Sequence, residues 1–326
     1  MAVRRSGRPG GERILSGIET IRPGLFTTVQ DRGRTGYSRW GVPASGAADR
    51  ESARAANWLA GNDESAALLE VTLGSAEFSV GAACRVGIAG APAAVTVNGA
   101  EVARTTTLAL RAGDRIAIGP AREGLRVYVA VGGGIDVAPV LGSRATLSAC
   151  AMGGFRGRRL AAGDVLPRGV AAEAGTRALS GDADPLVLRD EARVVAGPQF
   201  DLFSVSAREA FFGGRFRVSP RSDRRGLRLE GAAVAPIRGD IDPEGVVVGT
   251  IQVPAGGEPI VLMPDGPVTG GYPKIATVIR ADLPVLGQWR PGQAVGFREV
   301  TREEAIAAWK EREEAWRRHI EAARSI

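Results

Sequence analysis

Residues 86–130 read VGIAGAPAAVTVNGAEVARTTTLALRAGDRIAIGPAREGLRVYVA, and their spacing decides the fold class. Apolar or alternating runs fall at Val86–Ala89, Ala94–Asn98, Thr106–Leu110, Arg115–Ile118 and Arg126–Ala130, with turn residues between them. Short runs at short, regular intervals predict an all-β barrel or sandwich rather than βαβ units. Asn98-Gly99 predicts a hairpin turn between two of these runs.

Outward from this stretch, one corner recurs. Leu110-Arg-Ala-Gly113-Asp114, Leu160-Ala-Ala-Gly163-Asp164 and Trp289-Arg-Pro-Gly292-Gln293 each place a Gly-polar turn where two strands would meet, suggesting related lobes. Two stretches are helical instead. Asp49 caps a helix through about Leu59, with Ala53, Ala56 and Leu59 or Ala60 on one face and Gly61 as its stop. Thr301 caps another, whose Ile306, Trp309, Trp316 and Ile320 form a stripe expected to dock on the chain's own surface.

The 326 residues are 44% hydrophobic and 24% charged, the balance of a globular protein. No apolar run is long enough to span a bilayer. Residues 1–12 are basic and Gly-rich without an apolar core, and read as a disordered tail rather than a signal peptide. The expected organisation is a first lobe over 13–185, a second over 186–300 and a helix over 301–326. The Gly-Ala-Asp-rich segment Ala171–Pro185 is the expected connection. Cys84 and Cys150 are too few for a disulfide framework and read as two buried thiols in a reducing cytoplasm. The charge of +6 does not point to nucleic acid, because the arginines are scattered without interleaved aromatics. His319, the single histidine, falls in a charged helix and reads as a surface residue. One histidine excludes a Ser-His-Asp triad and a His-rich metal site, leaving acid–base work to Asp, Glu, Lys, Tyr or the substrate.

Five glycine-punctuated segments combine polar side chains with forced turns. In the first, Asp31 and Arg32 follow an apolar strand end. In the second, Gly41-Val-Pro-Ala-Ser-Gly-Ala-Ala-Asp49 runs into the first helix, where close backbone approach and an anion are favoured. In the third, Ser143 and Arg144 follow a glycine run and suit a carboxylate or phosphate cradle. In the fourth, arginines flank Asp223, which suits it to orienting a group rather than abstracting a proton. The fifth joins Gly249-Thr-Ile-Gln252-Val-Pro254 to Thr269-Gly-Gly-Tyr272-Pro-Lys274. Lysine occurs only at Lys274 and Lys310 in a chain that otherwise uses arginine, so the ammonium after this turn looks selected. Neither standard nucleotide-binding fingerprint is present, and Lys274 has no flanking methionines, so no covalent biotin is expected on it.

Taken in order, these strings resemble the carboxyltransferase-domain family that includes the 5-oxoprolinase C-subunit and allophanate hydrolase subunit 2. They comprise Gly24-Leu-Phe-Thr-Thr-Val-Gln-Asp31, Gly-Val-Pro-x-Ser-Gly-Ala-x-Asp49, Leu69-Glu-Val-Thr72, Gly142-Ser-Arg144, Gly197-Pro-Gln199, Ser222-Asp-Arg224, Ile251-Gln-Val-Pro254 and Thr269-Gly-Gly-Tyr-Pro-Lys-Ile-Ala276. The resemblance runs from about Ile14 to Phe297. It implies a mainly β, two-lobed, cyclophilin-like barrel architecture. It also implies an assembly with a partner like the 5-oxoprolinase B-subunit or allophanate hydrolase subunit 1, and with an A-subunit homologue. Such a complex uses ATP to open 5-oxoproline, a small amide, to glutamate. Related domains in urea carboxylase transfer a carboxyl group from biotin to urea, and other relatives antagonise a sporulation-kinase inhibitor.

On this resemblance Lys274 and Tyr272 are the expected polarising groups and Asp31, Asp49 and Asp223 the bases or orienters. Arg144 and Arg224 are the carboxylate clamps, with Ser143, Thr269 and Gln252 also contacting substrate. Arg225 and Leu227 depart from the family pattern, which commonly has Met and Tyr there, as does the segment Met263–Val268.

Overall fold

The computed structural model describes residues 17–179 and 185–324. The expected tail over 1–12 and residues 180–184 of the expected connection lie outside the described residues.

The first lobe contains β1 (Ile18–Arg22), β2 (Phe26–Gln30), β3 (Leu68–Thr72), β4 (Gly74–Val80), β5 (Cys84–Gly90) and β6 (Val95–Val97). It continues with β7 (Ala100–Glu101), β8 (Leu108–Leu110), β9 (Arg115–Pro120), β10 (Arg126–Val131) and β11 (Val165–Leu166). These form two sheets, ordered β11-β1-β4-β9-β6-β7 and β2-β3-β10-β5-β8. Alternation sorts their side chains. Leu69, Val71, Val86, Ile88, Val127 and Val129 meet Phe78, Ile116 and Ile118 of the other sheet in one core. The opposite face of β3, β5 and β10 carries Leu68, Ala89, Tyr128 and Ala130 against a helix, α1 (Arg50–Ala60).

All five runs of the opening stretch form strand, though Thr106–Leu110 does so only over Leu108–Leu110. The hairpin partner differs from expectation. Asn98 and Gly99, with φ of 52° and 85°, turn the chain into the two-residue β7, whereas β8 crosses to the other sheet and pairs with β5. Ala100 and Glu101 are exposed, Val102 packs half-buried against the core, and fully buried apolar residues resume at Leu108.

Asp49 caps α1 by accepting the Ser52 N–H at 3.0 Å, and Gly61 ends it in the left-handed region. The helix lies so close to β5 that a Cβ on Gly87 would stand 2.1 Å from the Ala56 carbonyl oxygen. Gly87→Ala is expected to push α1 off the sheet at a cost of about 2–3 kcal/mol. A urea titration checks this: the midpoint falls while the slope is unchanged.

The second lobe contains β12 (Glu191–Ala196), α2 (Val205–Gly213), β13 (Phe216–Val218), β14 (Gly226–Glu230), β15 (Glu244–Gly245), β16 (Thr250–Gln252), β17 (Ile260–Leu262), β18 (Thr269–Gly270), β19 (Lys274–Val278), α3 (Leu283–Gln288) and β20 (Ala294–Glu299). Seven strands close a barrel in the order β12-β19-β16-β17-β14-β13-β20, sealed by parallel pairing of β20 with β12. Phe211, Phe216, Trp289 and Phe297 fill it. β15 and β18 make a separate two-stranded antiparallel sheet.

The recurring corner is one turn built three times. Asp114, Asp164 and Gln293 each donate a backbone N–H to the carbonyl three residues earlier, at 3.1, 3.1 and 3.0 Å. Their side chains accept the N–H of that same earlier residue, at 2.7, 2.7 and 3.0 Å. Two copies lie in the first lobe and one in the second, so the lobes share a building element.

The final helix, α4 (Arg302–Arg324), opens with a capping box between Thr301 and Glu304. It docks on the chain itself: Trp316 packs edge-on against Trp58 of α1, its indole N–H meets Glu64 at 3.0 Å, and Glu313 meets Arg54 at 3.0 Å. Ile306 departs from the expected stripe and is exposed. His319 is not a surface residue either. It is half-buried, its ring 4.9 Å from that of Trp58 and 5.8 Å from that of Trp316. Burial lowers its pKa below the ordinary imidazole value. The folded state therefore binds this proton less readily than the unfolded chain, a contribution present above about pH 6.5 and lost on acidification. As the only histidine, its NMR resonances should titrate with a midpoint below about 6.5. Cys84 is half-buried and Cys150 exposed, so the expectation of two buried thiols fails for Cys150, which stands on a surface turn. Among the described residues no helix is long and apolar enough to cross a membrane.

Candidate functional site between the lobes

Four of the five glycine-punctuated segments converge where the lobes meet. Where the sequence predicts a cradle for a ligand carboxylate or phosphate, Ser143 and the Arg144 backbone N–H hold the protein's own Asp31. One Asp31 oxygen accepts the Ser143 hydroxyl and Gly33 N–H, both at 2.7 Å; the other accepts the Arg144 N–H at 2.5 Å. The Arg144 guanidinium turns elsewhere, to Asp136 at 3.0 Å and the Val137 carbonyl at 2.8 Å. Asp31 also takes the Ala47 N–H on its own carbonyl, and Ser45 N–H reaches Pro264 of the second lobe. Asp31, Ser143 and Arg144 thus come together as a loop clasp.

Beneath this clasp lies a buried polar network. Arg224 of the second lobe clamps Asp265 through two bonds, at 2.8 and 3.0 Å, and reaches the Gly46 carbonyl at 2.7 Å and the Glu70 carboxylate. Glu70, 1% exposed, also accepts Arg126, the Tyr128 hydroxyl and the Ala48 N–H. Burial alone would raise the Glu70 pKa, but Arg224 and Arg126 outweigh it and hold the carboxyl below the ordinary value. Burial alone would lower that of Arg224; Glu70 and Asp265 reverse the sign. Asp49 joins the network from the other side. Its carboxylate accepts Gln288 Nε2 at 2.7 Å, its N–H donates to the Tyr128 hydroxyl, and burial raises its pKa. Arg224 and Asp49 are therefore committed to joining lobes, with their hydrogen-bonding capacity spent inside the chain.

A cavity of about 550 Å³ opens beside the network. Leu25, Leu73, Leu125, Leu227 and Trp289 give it apolar walls, while Asp223 and Arg225 stand on its exposed rim. Asp223 accepts the N–H groups of Arg225 and Gly226, forming its own turn. Both family-atypical residues, Arg225 and Leu227, line this cavity. A second cavity, of about 770 Å³, is lined by four arginines, Arg32, Arg50, Arg54 and Arg280, against Asp31, Glu51, Glu64 and Glu313. The first is the better small-molecule candidate, because apolar walls with a few polar groups at a lobe boundary are what such sites use.

Lys274 belongs to a different place. Gln252 is in register with Lys274 across β16 and β19 and with Ile260 at the start of β17, whereas Asp265 follows the end of β17. The Lys274 centre and the interlobe network are thus at opposite ends of one strand. Lys274 is 4% exposed and ion-paired with Glu244, which also accepts Gln199 Nε2 at 2.7 Å. Lys274 and Gln199 hold the Glu244 carboxyl below the ordinary value. Glu244 stands on β15, paired with β18, so this ion pair pins the small sheet that carries Thr269. Gly270 lies directly on Gln252, leaving no room for a Cβ. Tyr272 is half-exposed. Lys274, Tyr272, Thr269 and Gln252 thus lie apart from Asp31, Ser143, Arg144 and Arg224.

Sequence reasoning missed Glu70, Arg126, Tyr128, Asp265, Gln288 and Glu244. Three had a readable signal. Arg126 and Tyr128, two apart in an apolar strand, must share a face, and Glu70 is the lone charge in Leu68–Thr72. Register brings Glu70 opposite Tyr128.

The carboxyltransferase domain, subdomain A and B, matches residues 40–299. The chain is 36% identical to the 5-oxoprolinase C-subunit of Escherichia coli (strain K12) over 310 residues, covering 93% of this chain and 99% of that protein. It is 34% identical to urea amidolyase of Lachancea kluyveri over 305 residues, covering 86% of this chain but 17% of that one. The crystal structure of Kluyveromyces lactis urea carboxylase superposes with a TM-score of 0.87 at 30% identity, covering 93% of this chain and 29% of the other. The likeness to the bacterial protein runs nearly end to end, while the fungal proteins contain the same unit within much longer chains. The chain belongs to the carboxyltransferase-domain family, subdomains A and B.

Proposed function

We propose that this chain is the C-type component of a heteromeric, ATP-dependent 5-oxoprolinase that opens 5-oxoproline to glutamate. Its companions in that reading are a protein like the 5-oxoprolinase B-subunit or allophanate hydrolase subunit 1, and an A-subunit homologue, in the cytoplasm. The observation that carries it is the full-length likeness to the Escherichia coli protein, 36% over 99% of that chain. The cavity of about 550 Å³ supports it, being large enough for a five-membered lactam. The ring packs against Leu125 and Trp289, and the substrate carboxylate meets Arg225 at the rim. Hydrolysis breaks the lactam C–N bond, with water supplying the new carboxylate oxygen and ATP the driving force. In this reading Asp223 orients the rim, and Lys274 with Glu244 holds the β15–β18 sheet rather than touching the ring.

Coexpression with both companions, followed by assays of 5-oxoproline-dependent ATP hydrolysis and glutamate release, tests the reading. Activity that vanishes when this chain is omitted is expected; a stable complex with no 5-oxoproline turnover overturns it. The superposition on urea carboxylase favours one alternative, a biotin-dependent carboxyltransferase acting on urea or a related amide. That alternative predicts urea-dependent ATP consumption only when a biotin-carrier protein is added.

A further inference from the structure

The cavity of about 770 Å³ shares no lining residue with the one assigned to 5-oxoproline. Three parts of the chain wall it: α1 with the loop before it from the first lobe, β19 and α3 from the second, and α4. Arg32 and Arg50 line it from the first lobe and Arg280 from the second. The Arg280 guanidinium carbon stands 3.9 Å from the centre of the Trp309 ring, so α4 fixes where that cation points.

The carboxylates of this cavity gather around a different arginine. Arg54 pairs with Glu51 at 3.6 Å, Glu64 at 2.8 Å and Glu313 at 3.0 Å, and Arg32 takes the other Glu64 oxygen at 2.7 Å. Asp31 is held in its clasp by Ser143, Gly33 and Arg144. Arg50 and Arg280 instead act on each other across the lobe boundary. The surrounding protein desolvates Arg50, and the Arg280 and Arg32 cations lower its pKa further, with Asp31 and Glu51 opposing them less strongly. An anion between these cations turns that repulsion into attraction.

We infer that Arg50 and Arg280, with Arg32 beside them, form a site for a phosphoryl anion that bridges the two lobes. Forked guanidiniums on walls from different lobes offer more donors than a carboxylate has oxygens, and more charge than it carries. A phosphate, with about two charges and at least three free oxygens, matches both. Arg50 and Arg280 are exposed to solvent, so the anion enters without opening the fold. A phosphate fills only part of the cavity, so the phosphoryl group can be free or the end of a larger ester such as a nucleotide.

Thermal unfolding of the full chain, at fixed pH and ionic strength with inorganic phosphate replacing chloride, tests the inference. A saturable rise in Tm is expected. Arg50→Gln and Arg280→Gln should each weaken the apparent affinity by about tenfold or more, the effect of lost hydrogen bonds to a charged ligand. Trp309→Leu, which leaves the charge unchanged, should weaken it by about two- to fivefold by releasing Arg280. Arg111→Gln removes an equal charge from an exposed corner of the first lobe and should leave the affinity unaltered. Each rise is read against that variant's own Tm, so a change in stability does not mask it. ATP and adenosine, both without metal, separate the two sources. ATP binding more tightly than phosphate, with adenosine inert, assigns the site to a nucleotide's phosphoryl chain; ATP binding no more tightly assigns it to free phosphate. No saturable rise with phosphate or ATP overturns the inference, as does adenosine binding as tightly as ATP. So does a response unchanged in Arg50→Gln and Arg280→Gln, or weakened equally by Arg111→Gln.

Discussion

Arg224→Met should lower the unfolding free energy by about 3–5 kcal/mol, the largest loss expected from any single substitution here. Methionine keeps the apolar stem but lacks the guanidinium head, so the loss is dominated by the two carboxylates left without this cation. Removing it leaves Asp265 without its two-pronged partner and Glu70 with Arg126 as its only cation. The effect should also depend on pH with a definite sign. In the parent chain the depressed Glu70 pKa contributes stability above about pH 4.5, the ordinary glutamate range, which is lost as pH falls through the folded value. The variant's Glu70 is already poorly neutralised, and protonation relieves it. The gap between the two proteins should therefore narrow on acidification. Chemical denaturation at about pH 7 and about pH 4 checks both parts, and a gap that widens at low pH would show that Arg224 acts by packing.

Ala149→Trp should cut kcat/KM for 5-oxoproline in the reconstituted complex by about 100-fold, the scale on which misplacing a substrate acts. Ala149 is an exposed residue lining the cavity of about 550 Å³, so an indole there fills ligand space without entering the core. Tm should stay within about 2 °C of the parent, because surface substitutions rarely change stability much. Lys274→Met supplies the contrast. It frees Glu244 and loosens the β15–β18 sheet, so its effect should show first in Tm. A Lys274→Met complex of normal Tm and no turnover would return chemistry to the Lys274 end and remove the cavity from the account.

The β architecture, α1 with both its caps, the capping box of α4 and the three corners were legible because each is written in local chemistry: alternation, a capping residue, a Gly-polar pair. The site was legible only in pieces. Composition singled out Lys274, and the structure pairs its buried ammonium with the exposed Glu244 carboxylate. Nothing local showed that it lies at the other end of β17 from Arg224, since that depends on the register of β16, β17 and β19. The carboxylate cradle at Ser143-Arg144 was readable as a donor cluster. That Asp31, more than a hundred residues earlier, fills it was not, because no pattern pairs donors with acceptors across such a distance. His319 misled for a related reason: its charged helical neighbours describe one face, while the ring lies on the other, against Trp58 of a helix far away in the chain.

The buried network also imposes an order on synthesis. A ribosome releases Glu70, Arg126 and Tyr128 long before Arg224, Asp265 and Gln288, the second-lobe residues that complete their hydrogen bonding. Until then Glu70 is held by Arg126 and Tyr128 without the Arg224 cation. The nascent first lobe is therefore an unfinished fold, secured only after most of the chain has emerged. Pausing translation between the lobes should leave it exposed to proteases and chaperones, and a premature stop there should yield a fragment that aggregates rather than a smaller working domain.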